Sequence, residues 1–552
     1  MRPTMRQSVL HLAVSATLLA ASSSACAQSS EARGLEEVRN TVVNLLEALV
    51  QKGVMTKEQA EQMVAAAQSK AAADAKTRAD STGDESNAVR VTYVPEIVRQ
   101  QISEQVSASI KDDVTRQVTA QAQAEGWGVP GALPEWIKGV RVYGDVRARA
   151  QSDLFASDNV TGQYVNFLAV NDSGGIDEAG ENAFINTSED RYRMVGRVRL
   201  GMTAQLGNSF AADLRLASGN ARTAVSTNQT LGNYGGRWSV DVDKAAVLWN
   251  PINAARDREI DLRFGRFANP FLVNNELIWD SDLTFEGVSA TYALDLFGAD
   301  PARMERSLFL TVGAFPLQEV ELSSDDKWLY AAQLGGELPF GSAHRLRLAL
   351  AYYDYENITG VRNTVDSNVF DFTAPRFLQK GNTLFDIRST SDNSGNLFAL
   401  AGKYRMANAT LQLDLGFGNT HVVLGADYVT NLGWDTQDVL ERTGFRIDER
   451  TDGYEASVTV GRTSITDLWQ WRAFVLYRYL ERDAVLDAFA DSDFHLGGTD
   501  AKGYQLGFDL GLARGTWLRL RYLTANEIGG NSMFDSPPLG IDVWQLDLNG
   551  QF

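Results

Sequence analysis

Past residue 138 the chain adopts a strict two-residue period. Val140, Val142, Gly144, Val146 and Ala148 alternate with Arg141, Tyr143, Asp145, Arg147 and Arg149. Tyr192, Met194, Gly196, Val198, Leu200 and Met202 likewise interleave with Arg191, Arg193, Arg197, Arg199 and Thr203. This is the pattern of strands with one apolar and one polar face. Further alternating runs fall at 208–218, 238–249, 259–267, 283–294, 307–315, 327–338, 345–355, 396–415, 420–430, 453–462, 469–480, 502–512, 517–524 and 541–552, which makes 16 in all. Links after even-numbered runs are short, as at Gly207-Asn208 and 513–515. Those after odd-numbered runs are mostly long and polar, as at 152–190, 219–237, 356–395 and 481–501. A sandwich of two sheets has no reason to keep that asymmetry, whereas a membrane barrel has short turns at one end and long loops at the other. Closure also removes the strand edges that hydrocarbon would not tolerate. The expected fold is an all-β transmembrane barrel of about 16 antiparallel strands over 138–552, which explains how 552 residues escape the size limit of a single soluble core.

The front of the chain has a different character. Residues 1–27 carry Arg2 and Arg6, an apolar stretch at 9–21 and small residues ending Ala25-Cys26-Ala27, the form of a secretory signal peptide. Acylation of Cys26 fits less well, because Ser23 stands where lipoprotein signals want a large aliphatic residue. Over 28–75 a helical hairpin is expected. Leu35, Val38, Val42, Leu45 and Leu49 form a short heptad seam, and Thr56-Lys57-Glu58-Gln59 is a capping box. A polar linker follows at 76–94. Residues 95–137 read as an amphipathic helix, striped by Val98, Ile102, Val106 and Ile110, and a Pro-rich connector. An even strand count puts both barrel termini on the periplasmic side, so these helices are expected there. They either pack on themselves or form a coiled-coil stalk that joins subunits or reaches the cell wall.

The formal charge is −19, or −21 once Arg2 and Arg6 leave with the leader, which argues against nucleic-acid binding. The one cysteine lies in the leader, so disulfide frameworks and thiol chemistry are excluded. His11, His344, His421 and His495 fall in separate segments. They suggest no metal site, no cofactor and no catalytic triad, and a lipase built on His421 is set aside. Arginine carries the informative signal. Arg141, Arg147, Arg149, Arg193, Arg197, Arg199 and Arg215 share the polar parity of the first three runs, and Arg519 and Arg521 that of the fifteenth. In a closed barrel the sixteenth strand adjoins the first, so these side chains would form one basic wall lining the lumen. Such fixed charges select the sign of passing ions. The alternative is that they only pair with lumen acids such as Asp145, Asp213 and Asp547. Acid otherwise gathers at 152–189, where seven carboxylates stand with no Lys or Arg. That run reads as a solvated outer loop, suited to divalent cations beside anionic lipopolysaccharide. The loop at 269–280 offers Glu276 and Asp280 against the wall.

Trp469, Trp471, Tyr477 and Tyr479 share one parity, as interfacial girdle residues do. Trp544, Leu546, Leu548 and the terminal Phe552 share another. This last strand resembles the terminal strand of Gram-negative outer-membrane proteins, which the barrel-insertion machinery reads. More broadly, the chain resembles the Putative porin family of Gram-negative bacteria. The likeness is carried by Glu37-Val38-Arg39-Asn40, Tyr93-Val94-Pro95-Glu96, Pro134-Glu135-Trp136, Gly144-Asp145-Val146-Arg147, Gly265-Arg266-Phe267-Ala268-Asn269-Pro270-Phe271 and Asp282-Leu283-Thr284-Phe285-Glu286-Gly287. The resemblance implies an outer-membrane channel for passive diffusion of small hydrophilic solutes, and a homo-trimer embedded in lipid. Two other readings stay open: a specific channel for phosphate-like anions, and a structural tether that links the outer membrane to peptidoglycan through the helices.

Overall fold

The computed structural model describes residues 139–219, 223–251, 258–297, 306–341, 343–388, 395–529 and 537–552, together with Ser69. Apart from Ser69, the expected leader, hairpin, linker and amphipathic segment lie outside the described residues. The chain divides into two units, Met1–Asp112 and Asp113–Phe552, and the second holds every strand of the described residues.

Sixteen long strands run antiparallel, each beside its neighbour in sequence: β1 (Val140–Phe155), β2 (Arg191–Gln205), β3 (Phe210–Ser218), β4 (Val240–Trp249), β5 (Arg258–Ala268), β6 (Thr284–Leu294), β7 (Leu308–Gln318), β8 (Lys327–Phe340), β9 (His344–Glu356), β10 (Arg405–Phe417), β11 (Thr420–Asn431), β12 (Asp452–Gly461), β13 (Trp471–Leu480), β14 (Ala501–Ala513), β15 (Thr516–Glu527) and β16 (Gly540–Gln551). A two-residue strand, Gln229–Thr230, adds to the edge of β2. The barrel closes where Val146 of β1 stands opposite Val198 of β2 on one side and Gly550 of β16 on the other. Phe552 completes that seam, exchanging 3.1 Å backbone hydrogen bonds with Gly144 in both directions.

Packing is inverted relative to a soluble protein. Leu200, Leu506 and Leu546 are 45–48% exposed on the outer face, whereas Arg149, Gln545 and Asp547 are 1% exposed inside. Apolar side chains pointing outward all round a closed sheet have no water-soluble explanation, and a lipid bilayer supplies one. Aromatic pairs mark the long-loop end of this band: Tyr454 with Tyr479, Tyr477 with Tyr504 and Tyr522 with Trp544, ring centroids 4.6–5.1 Å apart. Inside, Tyr143 lies flat over Gly201 of the facing strand. A Cβ there would come within 2.5 Å of its ring, so a larger residue would have to displace the ring and its hydrogen bond to Asp213.

Most strand ends lie within one to three residues of the expected ones, and three differences change a reading. Strand β1 continues to Phe155, which takes Asp153 out of the acidic loop and buries it in the wall beside Arg193 at 3.3 Å. The run at 396–415 is two pieces. Strand β10 begins at Arg405, and Phe398–Leu400 pairs instead with Leu384–Asp386. The physical reason is that Leu397, Ala399 and Ala401 bury against Phe385 and Ile387 within the loop. Trp469 lies in the turn before β13 with φ of 61°, so only Trp471 among the two tryptophans is on the strand.

The long loops carry the remaining order. Loop 156–190 holds helices α1 (Phe167–Ser173) and α2 (Ile176–Ala179), with Asn166 capping α1 through Ala169 N. Loop 432–451 holds α3 (Thr436–Thr443), capped by Asp435.

Candidate pore and its constriction

Two-residue periodicity aims Arg141, Tyr143, Asp145, Arg147 and Arg149 of β1 to the inside. Register then decides whom they meet. Asp145 stands opposite Arg199 and Arg147 opposite Arg197 on β2, while Arg149 stands opposite Asp547 on β16. Like charges directly opposed are unfavourable, and carboxylates compensate them. Asp145 accepts from Arg197 at 2.9 Å and Arg199 at 2.7 Å. Asp547 accepts from Arg149 Nε at 2.7 Å and Nη2 at 3.0 Å, the bidentate geometry that suits a guanidinium. Arg215 pairs with Asp243, and Arg519 with Asp509 at 2.6 Å. Arg141 is exposed near the short-turn end.

Two long loops fold inward onto this wall. Loop 269–283 leaves β5 and crosses the interior. Leu272 exchanges hydrogen bonds with Gln333 of β8 at 2.7 and 2.9 Å. Asn274 donates to Asp427 of β11 at 2.9 Å, and Asn275 to Ser457 of β12 at 3.1 Å. Its apolar members Phe271, Leu277, Ile278 and Trp279 are buried against lumen-facing Phe285, Phe315 and Tyr353, edge to face at 5.0–6.1 Å. The interior is therefore divided, with an aromatic core along β5–β9 and a charged side along β13–β16 and β1–β3. The aromatic half went unanticipated. Its one sequence signal is that runs such as Leu308–Gln318 are apolar on both parities, which marks a strand buried on both faces.

Loop 481–500 is the second inward element. It meets the first through Asp280 N to Phe489 O at 2.9 Å and Ser492 N to Asp280 Oδ2 at 2.9 Å. It meets the wall through Asp493, which accepts from Arg149 at 3.0 Å, Arg521 at 2.6 Å and Gln545 at 3.1 Å. Asp491 accepts from Arg478 at 2.8 Å, and Arg478 also holds Glu455 at 2.8 Å.

The expected loop acids Glu276 and Asp280 serve the loops themselves: Glu276 accepts from Ser281 N at 2.8 Å and Asp280 from Asp282 N at 2.7 Å. Of the loop at 269–283, the acid that reaches the arginine wall is Asp282, 3.1 Å from Arg197, 2.9 Å from Arg199 and 3.1 Å from Thr227 Oγ1. Burial alone would raise its carboxyl, but Arg197 and Arg199 hold it below the usual range. Asp493 behaves likewise: Arg149 and Arg521 overcome its burial and hold it low. Glu276 moves the other way. Burial, then the nearby Asp491 charge, pushes it up to about 7. Asp280 is raised well above its ordinary value by burial and by Glu276, Asp282 and Asp491 around it.

Beneath the two loops lies a cavity of about 750 Å³ lined by nine arginines and six carboxylates, among them Arg147, Arg197, Arg519, Arg521, Asp282 and Asp493. A second cavity, about 480 Å³, shares Trp279, Asp282 and Leu283 with the first. Arg347, Arg472 and Arg478 also line the larger cavity. They share the lumen parity of their strands and were findable by alternation. Asp282, Asp491 and Asp493 come from loops, whose path alternation does not disclose. Trp544, Leu546, Leu548 and Phe552 all face outward on the closing strand.

A family model described as Putative porin matches residues 39–552. No curated protein matches the chain. Among solved structures, the high-pH structure of Pseudomonas putida OprB is 12% identical, with 75% of this chain and 95% of that one covered and a TM-score of 0.41. The in-vitro folded trimer form of OmpT from Vibrio cholerae is 9% identical, covering 75% and 99% at 0.37. Salmonella typhi OmpF in complex with daunomycin is 12% identical, covering 76% and 100% at 0.37.

Proposed function

Because the chain belongs to the Putative porin family, we propose that its outer-membrane barrel is a water-filled channel through which small hydrophilic solutes diffuse passively, with a preference for anions. The channel itself follows from the family and from a closed barrel with an apolar exterior. The preference rests on one observation, the balance of the larger cavity, where nine arginines face six carboxylates. Two of those six are raised, Glu276 to about 7 and Asp280 well above its ordinary value, so Glu276 carries only part of its charge at neutral pH. Charges in a constricted, low-dielectric passage set ion sign more strongly than charges in open solvent. The bulk charge of −19 does not bear on this, since much of the acid lies away from the cavity.

The long loops are placed outside the cell and the short turns in the periplasm, with lipopolysaccharide around the outer leaflet. Phe552, hydrogen-bonded into the seam, is assigned with Trp544, Leu546 and Leu548 as the segment read during barrel insertion. A homo-trimer is the assembly proposed, to be read from the mass of the detergent-extracted protein. Liposome swelling tests the channel: entry of neutral sugars at rates that fall with sugar size is expected, and no swelling with any sugar contradicts it.

A further inference from the structure

The arginines of the lumen are not equivalent, and the difference lies in how carboxylates are shared among them. Arg197 and Arg199 together hold Asp145 and Asp282 at 2.7–3.1 Å. Arg149 and Arg521 share Asp493, and Arg149 also takes Asp547. Each of those four guanidiniums is therefore committed. Arg147 stands between the two groups on β1, opposite Arg197 on β2 and Asn549 on β16, and it is the one left over. Five arginines meet four carboxylates here, and among the described residues Arg147 makes no ion pair. Its only polar contact among those residues is Nη2 to Asn228 Oδ1 at 2.5 Å. Its Nε is buried with no partner. The acids nearest in charge, Asp282 and Asp493, are each already gripped by two other arginines. Arg147 and Asn228 both line the larger cavity.

From this arrangement we infer that Arg147, with Asn228 beside it, is a binding subsite for one oxyanion group, a carboxylate or a phosphate, of a solute in transit. The charge of Arg147 has no carboxylate paired with it, and an oxyanion entering the cavity that Arg147 lines supplies one. A guanidinium also presents its N–H groups in the planar fork that matches such oxygens. The neighbouring ion pairs act as spacers. They keep four arginines neutralised, so that a passing anion meets one focus of charge among these five and is held there without being trapped along the whole group. This subsite rests on the channel reading above.

The test is chloride current through single channels of the full-length protein in planar bilayers, titrated with inorganic phosphate in one arm and acetate in the other. The wild type should show saturable block by at least one of them, and the arm that blocks at lower concentration identifies the oxyanion. Arg147→Gln should raise the half-blocking concentration about tenfold or more, the order expected for losing one charge-assisted pair. Arg147→Lys, which keeps the charge but not the fork, should raise it by a smaller factor. An unchanged half-blocking concentration in either variant, or wild-type chloride current that neither anion blocks, overturns the subsite and leaves the channel standing. A wild type with no chloride current overturns both.

Discussion

Arg149 of the first strand and Asp493 of the loop at 481–500 are joined at 3.0 Å, with the arginine 1% exposed. That contact ties an inward loop to the seam where the barrel closes, because the same guanidinium grips Asp547 of the last strand. Removing one partner of a buried ion pair leaves the other charge uncompensated and costs about 3–5 kcal/mol. Arg149→Met should therefore lower the temperature at which the barrel loses its heat-modifiable electrophoretic mobility. Mobility loss at the wild-type temperature would mean the seam does not depend on this pair.

Asp282 restrains the basic wall from the opposite side. Its replacement by Asn keeps the side-chain shape and removes the carboxylate that Arg197 and Arg199 share with Asp145. Asp282→Asn should raise the chloride-to-potassium permeability ratio, read from reversal potentials in a salt gradient. A ratio equal to that of the wild type would show that the pair is screened from the ion path.

Selectivity should also respond to pH. Glu276 is raised to about 7 by burial and by Asp491, so it is neutral in acid and gains charge as pH rises through neutrality. A carboxyl raised above its unfolded value favours the folded seat at low pH, and that contribution is lost as pH climbs through the folded value. Anion preference should therefore fall between about pH 6 and pH 8, and Glu276→Gln should flatten the change. A slope that survives in the variant would place the titration elsewhere.

A buried histidine ties three of the loops together. His495 Nδ1 lies 2.6 Å from Lys380 Nζ, and its Nε2 lies 2.9 Å from Leu539 O. The ring accepts from the ammonium at one nitrogen and donates to the carbonyl from the other, which requires the neutral form. Burial and Lys380 hold its pKa well below the ordinary value. For a lowered histidine, stability is present above its unfolded value of about 6.5 and lost as pH falls below it. Protease cleavage within 357–404 and 481–500 should quicken under mild acid, and His495→Leu should cleave fast at every pH. Equal resistance in wild type and variant would remove the histidine from this role.

Much of this architecture is legible in the chain. The period of two and the alternation of short and long links locate sixteen strands, because each side chain must face either lipid or lumen. The arginines follow from the same parity. Their partners do not. Asp282 and Asp493 sit on loops whose return into the barrel is set by tertiary contacts such as Trp279 against Tyr353 and Ser492 against Asp280, and no local period encodes these. The buried apolar segment 397–401 imitates a strand because a loop core and a membrane strand ask for the same residues.

An anion-selective channel shows itself in the reversal potential of the purified full-length protein in planar bilayers separated by a potassium chloride gradient. Stepwise conductance is expected, with a reversal potential displaced toward that of chloride. A displacement toward potassium, or a bilayer that shows no conductance steps, would contradict that expectation.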